Sequence, residues 1–202
     1  MSRKINLELL HLDWDDIQKL SEKLAEKICE SGFKPEVIAS ISRGGFVPSR
    51  ILCDQLGIRK LASVQIEYYT NVKESIKSPR IVFPLTRDVD GLNVLIVDDV
   101  SDSGESLKVA KKHILERGAS EVRVATLHIK PWTSFLSDYY VAKVDEWIVY
   151  PWERMEVMQN ISAKLNNVSP DELKEKLIEI GFKKRHVNKF YRGSRKTKSS
   201  SS

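Results

Sequence analysis

Between Val94 and Leu107 the chain reads VLIVDDVSDSGESL. An apolar run leads directly into two adjacent carboxylates, Asp98 and Asp99. A third, Asp102, precedes Ser103-Gly104-Glu105-Ser106. Neighbouring carboxylates accept hydrogen bonds from sugar hydroxyls or hold Mg2+ through water. Small residues at a helix start leave backbone N–H groups at the positive end of the helix dipole, a cradle for phosphate. A strand ending in solvated acids would explain Asp98-Asp99 alone equally well, but not the whole run. Neither G-x-G-x-x-G nor G-x-x-x-x-G-K-[ST] occurs, so the dinucleotide and P-loop fingerprints are missing.

A second candidate is Ile41-Ser42-Arg43-Gly44-Gly45. Its glycines permit close backbone approach to an anion, and Arg43 supplies charge. Taken alone it reads as an ordinary strand-to-helix turn. A third candidate is the aromatic stretch from His128 to Glu153. It holds Lys130-Pro131-Trp132-Thr133-Ser134, Asp138-Tyr139-Tyr140-Val141 and Trp147-Ile148-Val149-Tyr150-Pro151-Trp152-Glu153.

Alternating elements must position these groups. The pattern predicts a helix from about Asp13 to Glu30, a strand over 37–41, a helix over Phe46–Leu56 and a strand over Leu61–Tyr69. A polar, loop-like stretch follows at Thr70–Pro79, then a short strand at Arg80–Pro84. Val94-Leu95-Ile96-Val97 lacks alternation, as a strand buried on both faces does. Gly104–Arg117 reads as a helix and Val122–Leu127 as the next strand. This order argues for a parallel α/β sheet with right-handed crossovers. After Pro151 only helices are expected, over 153–165, 170–180 and 183–191. Ser169-Pro170-Asp171-Glu172 starts the middle one as a capping box. The domains expected are a core over 1–151, a helical domain over 152–192 and a disordered basic tail over 193–202.

The chain has 33 Lys+Arg, 28 Asp+Glu and a net charge of +5. Eight of the bases follow Gly181, where there is no acid. Residues 1–180 therefore hold 25 bases and 28 acids, a net of −3. A surface basic throughout is excluded, and a solvated tail or subunit contact accounts for the C-terminal bases better than nucleic acid does. No apolar run reaches the roughly 18–20 residues of a membrane span. The N-terminus has no signal-peptide pattern, and two cysteines without a framework point to a reducing, cytoplasmic setting.

The 94–107 segment resembles the PRPP-binding motif of the type I phosphoribosyltransferases: hydrophobics, two acids, a variable pair, then D-T-G-x-T. Ser103 and Ser106 replace the usual threonines and keep hydroxyl donors. The likeness covers about residues 10–153. Ser42, Arg43, Gly44 and Gly45 resemble the family's pyrophosphate loop, where a strained, often cis, non-proline peptide presents N–H groups. Tyr68, Tyr69 and the stretch to Pro79 correspond to its flexible loop. The stretch 128–153 resembles the nucleobase hood of the 6-oxopurine branch.

The resemblance implies a parallel five-stranded twisted sheet flanked by helices, with a small hood at about 128–151 and an added helical C-terminal segment. It implies a glycosyltransferase converting a purine base and PRPP to a nucleoside 5′-monophosphate and pyrophosphate, in a homodimer without nucleic acid or membrane. Asp98 and Asp99 would hold the ribose hydroxyls. Asp102 would handle the base proton, and Asp102, Ser103, Gly104, Glu105 and Ser106 would hold the 5′-phosphate, Glu105 pointing outward. Mg2+ would sit near Asp98, Asp99 and Glu153, largely through water and PRPP. Lys130 would reach the purine edge, Trp147 stack on the ring, and the Ile148 backbone bond the base edge. Trp132 and Trp152 read as packing.

Lys130 only donates, which suits the O6 of hypoxanthine, guanine or xanthine; adenine carries an amine there and is mismatched unless Lys130 turns to the N7 acceptor. Against this, a 6-oxopurine-like core with an added helical third, about 50 residues, resembles crenarchaeal adenine phosphoribosyltransferases. On that resemblance adenine to AMP is preferred, with a 6-oxopurine as the alternative. The reading from another class is a PRPP-sensing regulator using the tail on nucleic acid. Asp102, Lys130 and Trp147 count against it, since a sensor needs no base pocket.

Overall fold

The structure, a computed structural model, describes residues 8–70, 77–165 and 168–198. In chain order the elements begin β1 (Leu9–His11), α1 (Trp14–Glu30), β2 (Val37–Ser42), α2 (Phe46–Gln55), β3 (Leu61–Thr70), β4 (Lys77–Phe83) and β5 (Asn93–Ser101). They continue α3 (Glu105–Glu116), β6 (Glu121–Ile129), β7 (Tyr139–Lys143), β8 (Trp147–Val149), α4 (Arg154–Lys164), α5 (Pro170–Glu179) and α6 (Lys184–Lys198). They fall into two compact units, Asp15–Asp145 and a second of Met1–Trp14 with Glu146–Ser202. Among the described residues no helix is long and apolar enough to cross a membrane.

The larger unit carries a sheet of order β4-β3-β2-β5-β6-β7. β3, β2, β5, β6 and β7 run parallel, which is the expected five-stranded sheet. β4 adds an antiparallel sixth strand beside β3. Tyr68, Tyr69, Thr70 and Lys77–Pro79, expected in a flexible loop, are therefore strand residues, Tyr68 and Tyr69 paired with Pro79 and Ser78; 71–76 lie outside the described residues. Val37, Ala39, Ile41, Val94, Ile96, Val122 and Val124 pack with Leu107, Ala110 and Ile114 of α3. Their neighbours Ile38, Leu95, Val97 and Ala125, on the other face, are equally buried. Burial on both faces explains the lack of alternation in β5. It also fixes where β5 can change character. The unbroken apolar run ends at Val97, and the strand continues through Asp98, Asp99 and Val100 to Ser101, paired with β6.

The division falls at 145/146 and joins the N-terminus to the C-terminal helices, unlike the expected break at 151/152. Strand pairing is the cause. β7 belongs to the main sheet, so most of the expected hood at 128–151 does not stand apart from it. β8 instead pairs in parallel with β1, with Leu10 opposite Ile148.

In the second unit Val149, Val157, Met158, Ile161, Leu177, Phe182 and Val187 form one core. His11 joins it through a 2.9 Å hydrogen bond between its Nε2 and the Ile180 carbonyl and an edge contact with Phe182. The Ser169 hydroxyl accepts from the Glu172 N–H at 3.2 Å, capping α5 as expected. The Glu172 carboxylate, expected to close the capping box, lies 2.9 Å from Lys176 instead. α6 continues to Lys198, past the Gly193 at which disorder was expected. Arg and Lys are good helix formers, and cations suit the negative end of the dipole.

Candidate active site

The carboxyl end of β5 delivers the acids, and the turn after it enters α3. Gly104 at that turn has φ +83°, in the left-handed region. A Cβ there would lie 2.5 Å from the Phe135 Cβ and 2.7 Å from the Phe135 nitrogen, so only glycine fits. The turn is stitched to the segment after Lys130. The Ser103 carbonyl accepts from the Ser134 N–H at 3.0 Å and the Ser134 hydroxyl at 2.6 Å. The Ser101 hydroxyl lies 2.8 Å from that of Thr133 and donates to the Phe135 carbonyl at 2.9 Å. Nothing in the spacing of Thr133, Ser134 and Phe135 marked them as the brace of this turn.

Glu105 opens α3, where a carboxylate would repel a phosphate. Here it accepts from Lys108 at 2.6 Å and Ser134 at 2.9 Å. The hydrogen bond from Lys108, then that from Ser134, holds its carboxyl below the usual carboxylate range. Its charge is thus matched by a neighbouring ammonium. The Tyr68 hydroxyl bridges this turn, 3.2 Å from Ser103 Oγ and accepting from Ser106 Oγ at 3.2 Å. The described structure of Tyr69 is limited to its place in β3.

The second glycine turn lies against the same strand end. The Ser42–Arg43 peptide is cis. A Cβ on Gly44 would lie 2.5 Å from Asp99 Oδ2, and one on Gly45 would meet the Val97 carbonyl. Asp99 is buried at 6% exposure, whereas Asp98 is partly exposed. Successive strand residues face opposite ways, so the two acids are not equivalent. Arg43 is exposed at the loop. The structure therefore gathers Ser42, Arg43, Gly44, Gly45, Asp98, Asp99 and residues 102–106 at one end of the sheet, where open α/β sheets bind ligands.

Asp102 is exposed, and its Oδ1 accepts from the Trp132 indole N–H at 2.8 Å. The packing role expected of Trp132 is wrong: the residue is 59% exposed. Lys130 is buried at 7% exposure, with its Nζ 5.4 Å from the Trp132 ring centroid. His128, also buried, is lowered to about 4, first by desolvation and then by the Lys130 charge.

The remaining candidates belong to the second unit. Trp147 packs on the helical core, with Lys164 Nζ 5.1 Å from its ring centroid. At least one ring face is thereby engaged by a cation. The Trp147 N–H donates to the Glu8 carbonyl, and the Val149 carbonyl accepts from Leu12. In a parallel ladder these alternate, so the Ile148 N–H and carbonyl face the edge of β8 away from β1. Trp152 stacks on Tyr150, centroids 4.8 Å apart, in the packing role expected of it. Glu153 is the N-cap residue of α4.

A divalent cation held by protein alone needs several ligands, and among the described residues no group of three or more His, Cys, Asp or Glu gathers for one. Paired hard-oxygen donors at a strand end fit Mg2+, which keeps its waters and is held by few carboxylates plus a substrate's phosphates.

Residues 12–155 match the phosphoribosyl transferase domain family. The xanthine-guanine phosphoribosyltransferase of Gluconobacter oxydans is 30% identical over 142 residues, covering 69% of this chain and 82% of that protein. That of Desulfotalea psychrophila is 32% identical over 144 residues, covering 70% and 84%. The purine phosphoribosyltransferase structure from Pyrococcus horikoshii aligns with a TM-score of 0.65 at 37% identity, covering 72% of this chain and 94% of that one. The chain belongs to the type I phosphoribosyltransferases. Within them it is an enzyme of the purine kind, a glycosyltransferase.

Two outcomes test the site's construction. Gly104→Ala should raise the KM for PRPP about tenfold or more, since strain and overlap with Phe135 exceed the roughly 1.4 kcal/mol that a factor of ten requires. An unchanged KM contradicts the cradle. For His128, burial favours the neutral ring, so its stabilising contribution is complete above 6.5 and is lost as pH falls toward 4. Up to about 3 kcal/mol is at stake. NMR titration of the folded protein should place its midpoint near 4; a midpoint at 6.5 contradicts the burial.

Proposed function

We propose that the enzyme transfers the 5-phosphoribosyl group of PRPP to a 6-oxopurine, the guanine–xanthine–hypoxanthine class. Lys130 is the observation that carries this reading: a buried, donor-only ammonium at the end of β6 matches an O6 acceptor and leaves an adenine amine unmatched. The curated relatives reported above are xanthine-guanine enzymes. The preference for adenine rested on the helical third. That third is present as α4–α6, but the likeness to adenine enzymes found no support, and the similar proteins point to the alternative.

The reaction breaks the ribose C1–pyrophosphate bond and forms a C1–N9 bond to the purine; pyrophosphate leaves with the bonding pair. C1 takes on oxocarbenium character as it does. The amides at Ser103–Ser106 hold the 5′-phosphate, the role for which Ser103 and Ser106 also offer hydroxyls. Asp98 and Asp99 accept from the ribose 2′- and 3′-hydroxyls. The loop at Ser42–Gly45 and the Arg43 guanidinium bind pyrophosphate. Asp102, beside N7, handles the base proton. The Ile148 backbone meets the base edge and Trp147 a ring face. Asp98 and Asp99, and Glu153 as the family resemblance implies, would hold Mg2+ mainly through water and PRPP, and the ion would supply neutralisation of charge on the leaving pyrophosphate. We assign the chain to the cytoplasm as a homodimer, as the family resemblance implies.

The test is a panel assay with PRPP, Mg2+ and each purine. Guanine, xanthine or hypoxanthine should exceed adenine in kcat/KM by about tenfold or more, the loss expected when the Lys130 donor meets an amine donor in place of the O6 acceptor. Lys130→Met should narrow that ratio. Preference for adenine overturns the substrate assignment.

A further inference from the structure

Asp102 is exposed on a turn, where a carboxylate rotates freely among its rotamers. A group that must meet one atom of a bound base gains from being held. Trp132 supplies a restraint of the right chemistry. Its indole N–H can only donate, and it donates to Oδ1 of Asp102 at 2.8 Å. That fixes one carboxylate oxygen and leaves the other to accept from the base. The indole is itself fixed. Its ring has the Lys130 ammonium 5.4 Å from the centroid, the Thr133 N–H closes the turn on the Lys130 carbonyl at 3.2 Å, and Ser134 is bonded to Ser103.

An exposed tryptophan exposes much apolar surface to water, and packing does not account for its place here. We propose that Trp132 is a positioning residue, which orients the Asp102 carboxylate for proton handling and links it to the base-facing Lys130. The inference rests on the proton-handling role given to Asp102 above.

The test is a double-mutant cycle with a spectroscopic readout. Trp132→Phe keeps the ring and removes the donor. It should lower kcat about ten- to hundredfold, the scale of a hydrogen bond to a charged group, with the KM for PRPP within about twofold. In an Asp102→Asn background the same change should cost less than about twofold more. The chain has four tryptophans, so the Trp132 indole 1H–15N resonance is identified by its loss in Trp132→Phe. It should move in Asp102→Asn, a readout that needs neither activity nor a stable Trp132 variant.

Full turnover in Trp132→Phe while Asp102→Asn is impaired overturns this inference and leaves the function intact. Equal loss from Trp132→Phe in both backgrounds, or an unmoved indole resonance, also overturns it. Full turnover in Asp102→Asn overturns the role of Asp102, and this inference with it.

Discussion

The backbone at Gly104 lies so close to Phe135 that no side chain fits between them, and the phosphate turn depends on that contact. A helix N-terminus binds an anion only if its amides are held in place and unobstructed. Here the turn is held from behind by Ser134, Thr133 and Phe135 and entered from the rigid end of β5. Gly44 against Asp99 repeats the device on the neighbouring strand. Two glycine contacts at the carboxyl ends of β2 and β5 thus bring together the elements to which the proposed function gives phosphate, pyrophosphate and ribose.

Electrostatics follow from the same local construction. The first 180 residues are net negative, yet the substrate is a polyanion. Long-range attraction cannot be the main device, which is why the proposed function gives binding to backbone amides, Arg43 and Mg2+. Glu105 shows how an unfavourable charge is tolerated there, because Lys108 and Ser134 both donate to its Oε1. Tyr68 places its hydroxyl between those of Ser103 and Ser106, bridging the turn at 3.2 Å from each.

Local signals were legible in the sequence, and long-range pairings were not. The apolar run Val94–Val97 and the strand–helix alternation specify the parallel sheet, since burial on both faces demands apolar residues throughout. The 94–107 motif pointed to a strand end and helix start because its residues are contiguous, and the structure places them there. β1 is three residues long and exists through its pairing with β8, which no local pattern reveals. The division at 145/146 follows from the same pairing. Trp132 illustrates the limit at the site: 30 residues separate it from Asp102, so its type suggested packing while its partner lay elsewhere in the chain. The preference for adenine rested on the helical third, whereas the burial of Lys130, which favours the alternative, becomes visible only once β6 is in place.

The central claim is that one braced turn holds the 5′-phosphate and places the ribose against the β5 acids. A crystal structure with PRPP and Mg2+ bound tests it most directly. The account predicts the 5′-phosphate on the amides of Ser103–Ser106, with the ribose hydroxyls bonded to Asp98 and Asp99. A 5′-phosphate bound away from that turn, with Asp98 and Asp99 free of the ribose, would contradict it.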